Sequence, residues 1–394
     1  MPAPLIWLAV GAFAVGTETF VVAALLPSIA ADFRVTVAAA GQIVTAFALA
    51  YAIGSPVLSV LTGGFDRKRL LIACLLLFSL ANLLAAATHG LLELTLARIV
   101  LAVTAGLYVP TANAVATAIA GPGRQGRAIA VVVGGLSVAV ALGVPIGAWL
   151  AAHASWPATF LLVAAISAAA AAGLMIGLPR ELPRGVTTLA QRLNVARRPE
   201  ILHGLAVTLA FSTGVFSIFT FLAPLLIDAA GLDAQGVSAT LFLFGVAAAG
   251  GNALGGYAAD RFGAVPTVRV GLVMLALVFG LLAVGAKAFA PPAATIAIIA
   301  AIGLWGIVGW GVYSAQMANL AGLAPGVAMV TLSLNSSTFY LGVAAGSVLG
   351  AFTLSIGTVG DLGWVASLGQ VVALATLELP RRAGSRLGAL QPGE

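Results

Sequence analysis

The sequence predicts an all-α integral membrane protein with twelve transmembrane helices. Hydrophobic residues make up 61% of the 394-residue chain, and charged residues make up only 8%. The mean hydropathy is +1.12, which is far more apolar than a soluble core requires. Leu, Ala, Val and Gly run on without alternation at period two, so the pattern fits helices and does not fit an outer-membrane barrel.

Twelve apolar segments are long enough to cross a bilayer when the chain is read in windows of about 19 residues. The first resembles a secretory signal in length, but it has no basic n-region and carries Glu18 near its centre, so we expect a retained helix. The predicted limits are 5–29, 36–61, 69–88, 90–117, 125–152, 157–178, 201–228, 235–258, 265–285, 291–322, 326–355 and 361–380.

The basic residues predict the orientation of these segments. Counted from an inside start, 15 of the 18 Lys and Arg residues fall in alternate loops or in the tail, while Arg34 and Lys287 fall on the other side and Arg98 lies within the membrane. Both termini are therefore expected in the cytoplasm. The basic residues that set this topology and lie near anionic lipid then explain the sequence pI of about 10.1. No nucleic-acid partner is expected.

The chain divides into two similar halves. The long polar stretch 179–200 follows the sixth segment and predicts a cytoplasmic basic linker. On either side we expect an N-terminal six-helix bundle at 1–178 and a C-terminal six-helix bundle at 201–380, with a cytoplasmic tail at 381–394. Cys74 is the single cysteine, which excludes an intrachain disulfide and a multi-Cys metal site, and no cofactor is expected.

Two repeated patterns indicate that the halves are pseudo-symmetric. A loop pattern with a basic end follows the second segment at 61–69, and a related one follows the eighth at 256–263. Small residues recur every four positions in the fifth and eleventh segments, which favours close helix packing in corresponding places around a shared central cavity. These stripes are Gly135, Ala139, Gly143 and Gly147, and Thr338, Gly342, Gly346 and Gly350.

Glu18 is the most informative residue, because an ionisable group inside an apolar segment is costly and usually marks a proton or substrate path. Burial disfavours the charged carboxylate, which allows proton uptake and release as access changes sides. Arg98 in the fourth segment lies within about 5 Å of the same depth, so the two are predicted to form a proton-coupling pair. Two structural alternatives remain: Glu18 bonded to Thr17 or a facing helix, and Arg98 satisfied by helix carbonyls.

Four stretches resemble the major facilitator superfamily, over essentially the whole chain. They are 16–20 with Leu25 to Pro27, Arg98 with Gly106 and Pro110, the fifth-segment stretch Gly143 to Gly147, and 335–350. The third is similar to the antiporter motif of the branch containing arabinose, sugar and chloramphenicol efflux permeases. The resemblance implies a twelve-helix drug:proton antiporter of the bacterial plasma membrane, with Gly143, Pro145 and Gly147 as gating residues. Pro145 is expected to loosen the fifth helix.

The two loop patterns match the family unequally. In the family, the role attributed to the loop aspartate is that of a conformational latch that contacts a helix terminus. The resemblance places Asp260 and Arg261 in that role, with the start of the fifth helix near Arg124 as partner. The first copy, with Asp66 and Arg67, is degraded. Its basic residues also fit a role in orientation alone.

Substrate contacts are expected from polar and aromatic groups in the segments that line the cavity in this family. The set is mostly uncharged and partly aromatic, which favours a neutral or amphipathic molecule over a phosphate ester, since phosphate requires convergent basic groups. The candidates are Tyr51, Tyr108, Asn113, Phe216, Phe219, Asn252, Trp305, Trp310, Tyr313, Gln316, Asn335 and Tyr340.

The predicted function is export of a drug, sugar or nucleoside-like molecule in exchange for protons, by a monomer in the lipid bilayer. Proton-coupled uptake is the main alternative, and a channel or an intramembrane enzyme is a remote one. The sequence has no P-loop and none of the hydrolase motifs we sought, so neither a primary pump nor an enzyme is expected.

Overall fold

The computed structural model describes residues 3–120, 125–179, 182, 194–195, 197–289, 292–324 and 328–379. Within these ranges every regular element is a helix. Eleven of the helices are long and apolar enough to cross a membrane. A twelfth has 18 residues and is less apolar, because Asp361, Gln370 and Glu378 lie in it. The predicted all-α membrane fold is confirmed.

The twelve helices follow the predicted segments closely, and three of them are interrupted. The first six are α1 (Ala3–Asp32), α2 (Val37–Ala40 and Gln42–Leu61), α3 (Arg67–Ala86), α4 (Leu91–Ala120), α5 (Gln125–Val138, a π-helical turn Ala139–Gly143, and Val144–His153) and α6 (Trp156–Gly177). The second six are α7 (Pro199–Phe219 and Leu222–Asp228), α8 (Ala234–Phe262), α9 (Ala264–Ala288), α10 (Ala293–Leu323), α11 (Ala328–Ile356) and α12 (Asp361–Glu378).

The packing of the first half is repeated six helices later. In the first half α1 packs on α5 and α6, α2 on α4, and α3 on α4 and α6. In the second half α7 packs on α11 and α12, α8 on α10, and α9 on α10 and α12. The two bundles meet along α2–α11 and α5–α8, and a six-helix shift exchanges these two interfaces. This is the arrangement of a duplicated transporter fold.

Small residues allow the closest helix contacts within each bundle. The glycine stripe of α5 lies against α1, where a side chain at Gly143 would overlap the hydroxyl of Thr17. The stripe of α11 lies in the same way against α7, where a side chain at Gly342 would overlap Ser212. The predicted small-residue faces are therefore the α1–α5 and α7–α11 contacts, in corresponding places of the two halves.

The two ends of the bundle differ. We call the end at which α1 begins, α12 ends and the α2–α3 turn lies the terminal face, and the other end the opposite face. At the opposite face, the hydroxyl of Ser347 on α11 donates to the carbonyl of Gly41 in α2, 3.1 Å away. A side chain at Gly41 would overlap Phe221 of α7. Helices of both bundles thus pack together at the opposite face.

The predicted linker and tail lie mostly outside the residues that the structure describes. Most of the linker 179–200 and all of the tail 381–394 lie outside the described residues, as does Arg124. The cytoplasmic orientation of the termini also stays a prediction.

Candidate functional site

A central cavity of about 220 Å³ lies between the two bundles. It begins near mid-depth and extends through the halves of α4, α5, α8, α10 and α11 that point to the terminal face. Its lining residues are Val15, Phe20, Tyr51, Val109, Asn113, Val133, Leu136, Ser137, Val140, Phe211, Val215, Phe216, Phe219, Phe244, Asn252, Trp305, Gly309, Trp310, Tyr313, Met317, Ser336, Phe339 and Tyr340. None of these described residues is charged.

Aromatic rings form most of the wall contributed by the second bundle. Phe219 of α7 packs edge to face with Trp305 of α10 at a centroid distance of 6.0 Å. Phe20 of α1 continues this wall into the first bundle, 6.1 Å from Phe219 and 6.2 Å from Trp310. Such edge-to-face contacts hold the rings in place. The cavity therefore presents rigid aromatic faces to a bound molecule.

Nine of the twelve predicted substrate contacts line this cavity. They are Tyr51, Asn113, Phe216, Phe219, Asn252, Trp305, Trp310, Tyr313 and Tyr340. The amide oxygen of Asn113 is buried and has no hydrogen-bond partner among the residues the structure describes, so it offers an acceptor to a ligand donor. Contact of these residues with a substrate stays a prediction.

The other three predicted contacts tie helices together outside the cavity lining. The Tyr108 hydroxyl donates to the carbonyl of Leu8 on α1 at 2.9 Å. The Gln316 amide donates to the carbonyl of Gly204 on α7 at 2.8 Å. The Asn335 amide donates to the sulfur of Met317 at 3.0 Å.

Glu18 and Arg98 form a fully buried ion pair. Both side chains are 0% exposed, and Nη1 of Arg98 donates to Oε1 of Glu18. The same nitrogen also reaches the backbone carbonyl of Glu18 at 3.3 Å. The structure thus brings the two predicted residues together, α1 to α4. Neither is among the residues that line the cavity.

The ion pair is only partly satisfied by hydrogen bonds. Oε2 of Glu18, and Nε and Nη2 of Arg98, are buried without a hydrogen-bond partner among the described residues. The hydroxyl of Thr17 also has none, so the alternative of a Glu18–Thr17 bond is not observed. The guanidinium carbon of Arg98 lies 4.1 Å from the ring centroid of Phe47, within the range of a cation–π contact.

The fifth helix changes its winding beside this pair. The π-helical turn Ala139–Gly143 ends two residues before Pro145, with Val144 between them. Because proline has no backbone N–H, a wider turn before it relieves the missing hydrogen bond. Gly143 and Gly147 of this region face Thr17 and Val21 on α1. The sequence predicted a loosened helix at Pro145, and the structure places the irregularity in the turn before it.

The two loop patterns differ in structure. Asp66 caps α3, because its carboxylate accepts from the backbone N–H of Arg69 at 2.8 Å. Arg67 donates to the carbonyl of Gly63 at 3.3 Å. In the second copy Gly263 has a φ of +92°, a backbone conformation that favours glycine and joins α8 directly to α9. Asp260 and Arg261 are exposed at this end of α8, and the latch role of all four residues stays a prediction.

Several residues of the site were missed from the sequence. Phe20, Phe244 and Phe339 line the cavity, and Phe47 contacts Arg98. Phe20 had a usable signal, since it follows Glu18 by two residues in the first resembling stretch. The others lie in apolar segments where phenylalanine is ordinary.

Comparison with known proteins now places this architecture in a family. The sequence profile described as "Major Facilitator Superfamily" matches residues 8–347. The chain belongs to the major facilitator superfamily. Together with its apolar helices and its bacterial relatives, this makes it a multi-pass protein of the bacterial inner membrane.

Similar proteins cover nearly the whole chain. A "Chloramphenicol resistance protein" of Streptomyces lividans is 32% identical over 96% of this chain and 95% of its own length. The "Uncharacterized MFS-type transporter YbcL" of Bacillus subtilis (strain 168) is 31% identical over 93% of each chain. "Inner membrane transport protein YdhP" of Escherichia coli (strain K12) is 30% identical over 94% of this chain and 93% of its own.

Solved structures share the fold. The "Crystal structure of D-xylose-proton symporter" superposes with a TM-score of 0.77 at 16% identity, over 96% of this chain and 97% of that one. At this identity the likeness shows the fold alone. The chain is therefore a transporter of the superfamily by sequence, and it has the fold of these solved structures.

Proposed function

We propose that the protein exports a neutral or amphipathic small molecule in exchange for protons by alternating access. The observation that carries this proposal is the buried Glu18–Arg98 pair beside a cavity with no charged residue among its described lining. An acid inside the membrane supplies the proton site. The aromatic cavity supplies the substrate site.

Protonation of Glu18 is the step that would couple the two sites. Oε1 is held by Arg98 and Oε2 has no partner in the described part of the chain, so Oε2 is the oxygen that would take the proton. A neutral carboxyl group attracts the guanidinium much less, which loosens α1 from α4. The neighbouring α1–α5 contact is built from Gly143 and Thr17. Loosening the pair would therefore change how the helices at the α5–α8 interface pack.

The cavity wall supports an uncharged or weakly polar substrate. Its rings offer flat apolar surfaces, and Asn113 and Asn252 offer hydrogen bonds. A doubly charged phosphate ester would leave its charge without a basic partner there. The nine cavity-lining candidates are our proposed substrate contacts.

The direction of transport is proposed from a relative. A protein named for chloramphenicol resistance shares 32% of its residues with this chain, and resistance through a transporter requires export. Proton-coupled uptake is the alternative. We also propose that both termini are cytoplasmic, that the bundles span 1–178 and 201–380, and that the protein works as a monomer.

Flux through proteoliposomes under an imposed pH gradient tests the proposal. With chloramphenicol and a panel of neutral dyes as probes, an inward proton gradient should drive at least one probe the other way. Glu18→Gln and Arg98→Ala should bind the same probe without responding to the gradient. Proton coupling of wild-type strength in both variants would refute the role of the pair, and co-transport in the direction of the protons would indicate uptake.

A further inference from the structure

Phe47 lies between the ion pair and the interface of the two bundles. It is on α2, is only 2% exposed, and its ring stands 4.1 Å from the guanidinium carbon of Arg98. It is not among the residues that line the central cavity. Phe47 can therefore act on the ion pair without contacting a substrate in the central cavity.

The guanidinium of Arg98 depends on this ring. Only Nη1 of Arg98 has hydrogen-bond partners, both of them on Glu18, while Nε and Nη2 have none among the described residues. A buried cation with unsatisfied donors is costly. The negative face of an aromatic ring offsets part of that cost and fixes the plane of the guanidinium.

Phe47 also contacts two tyrosines of the cavity wall, one of which belongs to the second bundle. Its ring centroid is 6.2 Å from that of Tyr340 on α11 and 6.3 Å from that of Tyr51 on α2. Tyr51 and Tyr340 stack across the interface at 3.7 Å, and both line the cavity. Thr19, Phe47 and Tyr340 also border one small cavity between α1, α2, α7 and α11. Movement at Tyr340 can therefore reach Arg98 through the ring of Phe47, in addition to the direct interaction of Tyr340 with the pair.

We propose that Phe47 is a positioning residue for proton coupling. Its ring holds the Arg98 guanidinium against Glu18 while α2 and α11 are packed as described. When a substrate or a bundle movement displaces Tyr340, the ring shifts and the guanidinium leaves the carboxylate. This inference rests on the proposed function, since it assumes that Glu18 is the proton site.

Few titratable side chains among the described residues interact with the ion pair, so a pH effect on the pair can be measured. The titratable side chain that interacts with both partners is Tyr340 of α11. Tyr51 and Tyr313 lie beyond it. A pH-dependent change that vanishes in Glu18→Gln can then be assigned to the pair.

The test compares Phe47→Leu, which keeps bulk but has no ring, with Phe47→Tyr, which keeps the ring. Purified proteins are titrated with acid while tryptophan fluorescence is followed, and their gradient-driven flux is then measured in proteoliposomes. Phe47→Leu should move the midpoint of the Glu18-dependent transition by at least half a pH unit toward higher pH and reduce gradient-driven flux at least tenfold. Phe47→Tyr should restore both to near wild type. Phe78→Leu is the matched control, because Phe78 is equally buried at 1% exposed but lies on α3.

The outcomes separate this inference from the proposed function. A wild-type midpoint and flux in Phe47→Leu, with Glu18→Gln defective, would overturn the role of Phe47 and leave the proton site intact. Equal losses in Phe47→Leu, Phe47→Tyr and Phe78→Leu would also overturn it, since packing alone would then explain them. A wild type without a pH transition, or one kept in Glu18→Gln, would instead refute the proposed proton site.

Discussion

At the scale of single residues, burial of the ion pair costs folding free energy, and the bond between its members ties α1 to α4. Glu18 and Arg98 are fully buried and bonded to each other, and several of their polar atoms lack partners. Removing one member of a buried pair leaves an uncompensated charge, whereas removing both does not. Stability and coupling are therefore separable by mutation.

A double-mutant cycle should show this separation. We expect Arg98→Met alone to lower the free energy of unfolding by about 3–5 kcal/mol, because Glu18 is left buried without its cation. The variant Glu18→Gln with Arg98→Met should regain most of that stability and still show no gradient-driven transport. Unfolding in detergent and flux in proteoliposomes measure the two properties. A double variant as unstable as the sum of its single changes would contradict the pairing.

The aromatic wall leads to a second prediction at this scale. Trp310 contacts Phe20 and Tyr313 and lines the cavity. Trp310→Ala should weaken binding of a transported probe about tenfold, which corresponds to about 1.4 kcal/mol. Trp364→Ala is the control, because Trp364 on α12 is 49% exposed on the outer surface. Equilibrium binding to purified protein checks it, and equal losses in both would contradict a wall-specific contact.

The sequence identified some of these residues and missed others for a physical reason. Glu18 and Arg98 stand out because any charge inside an apolar segment demands a partner. Tyr108, Gln316 and Phe47 give no such signal. A transmembrane helix is apolar all round, so the pattern does not show which way a given side chain turns. Only the packed structure places Phe47 on Arg98 and Tyr108 on α1.

At the scale of helices, the glycines of α5 are not equivalent, because only those of the small-residue face pack against α1. Gly143 faces the hydroxyl of Thr17, but Gly134 on the same helix has no atom within 4 Å of an added side chain. This difference offers a matched pair of substitutions in one helix.

Gly143→Ala should lower the free energy of unfolding by about 1–3 kcal/mol, because the added methyl group overlaps α1. Gly134→Ala should change it by less than about 0.5 kcal/mol. Combining Gly143→Ala with Thr17→Ala should recover part of the loss. Thermal unfolding of the three variants checks the prediction. Equal effects of the two glycine substitutions would contradict the packing of α5 on α1.

Helix limits were largely predictable, and helix interruptions were not. The predicted segment 36–61 corresponds to α2, yet the break at Gly41 has no marker in the apolar pattern. Pro145 did indicate an irregularity in α5, because proline removes a backbone donor. Its form, a π-helical turn one step earlier, depends on contact with α1 and α8 and so on tertiary structure.

At the scale of the whole molecule, the two bundles are alike in packing and unlike in chemistry. The first bundle holds the buried ion pair, and the second contributes most of the aromatic wall. The interfaces α2–α11 and α5–α8 are the places where one bundle can move against the other. In the proposed mechanism, such a movement couples substrate binding in the cavity between the bundles to proton uptake at the ion pair of the first bundle.

Cysteine accessibility would test both the direction in which the cavity opens and the predicted topology. Cys74 is the single native cysteine and is buried, so a Cys74→Ala background is suitable for single new cysteines. Asn252→Cys in the cavity wall should react with a membrane-impermeant maleimide from the cytoplasmic side, since the cavity lies in the half of the bundle nearer the terminal face. A transported substrate should slow that reaction.

Three further positions serve as controls in the same labelling experiment. Phe65→Cys, in the exposed α2–α3 turn, should react from the cytoplasmic side, and His89→Cys, in the exposed α3–α4 turn, from the periplasmic side. Leu277→Cys should stay unreactive from both sides, because Leu277 is 63% exposed on the apolar outer surface of α9 and so faces lipid. Labelling of Phe65→Cys from the periplasm would reverse the predicted topology. Labelling of Asn252→Cys together with His89→Cys from one side would contradict an opening at the terminal face, whichever way the protein is oriented.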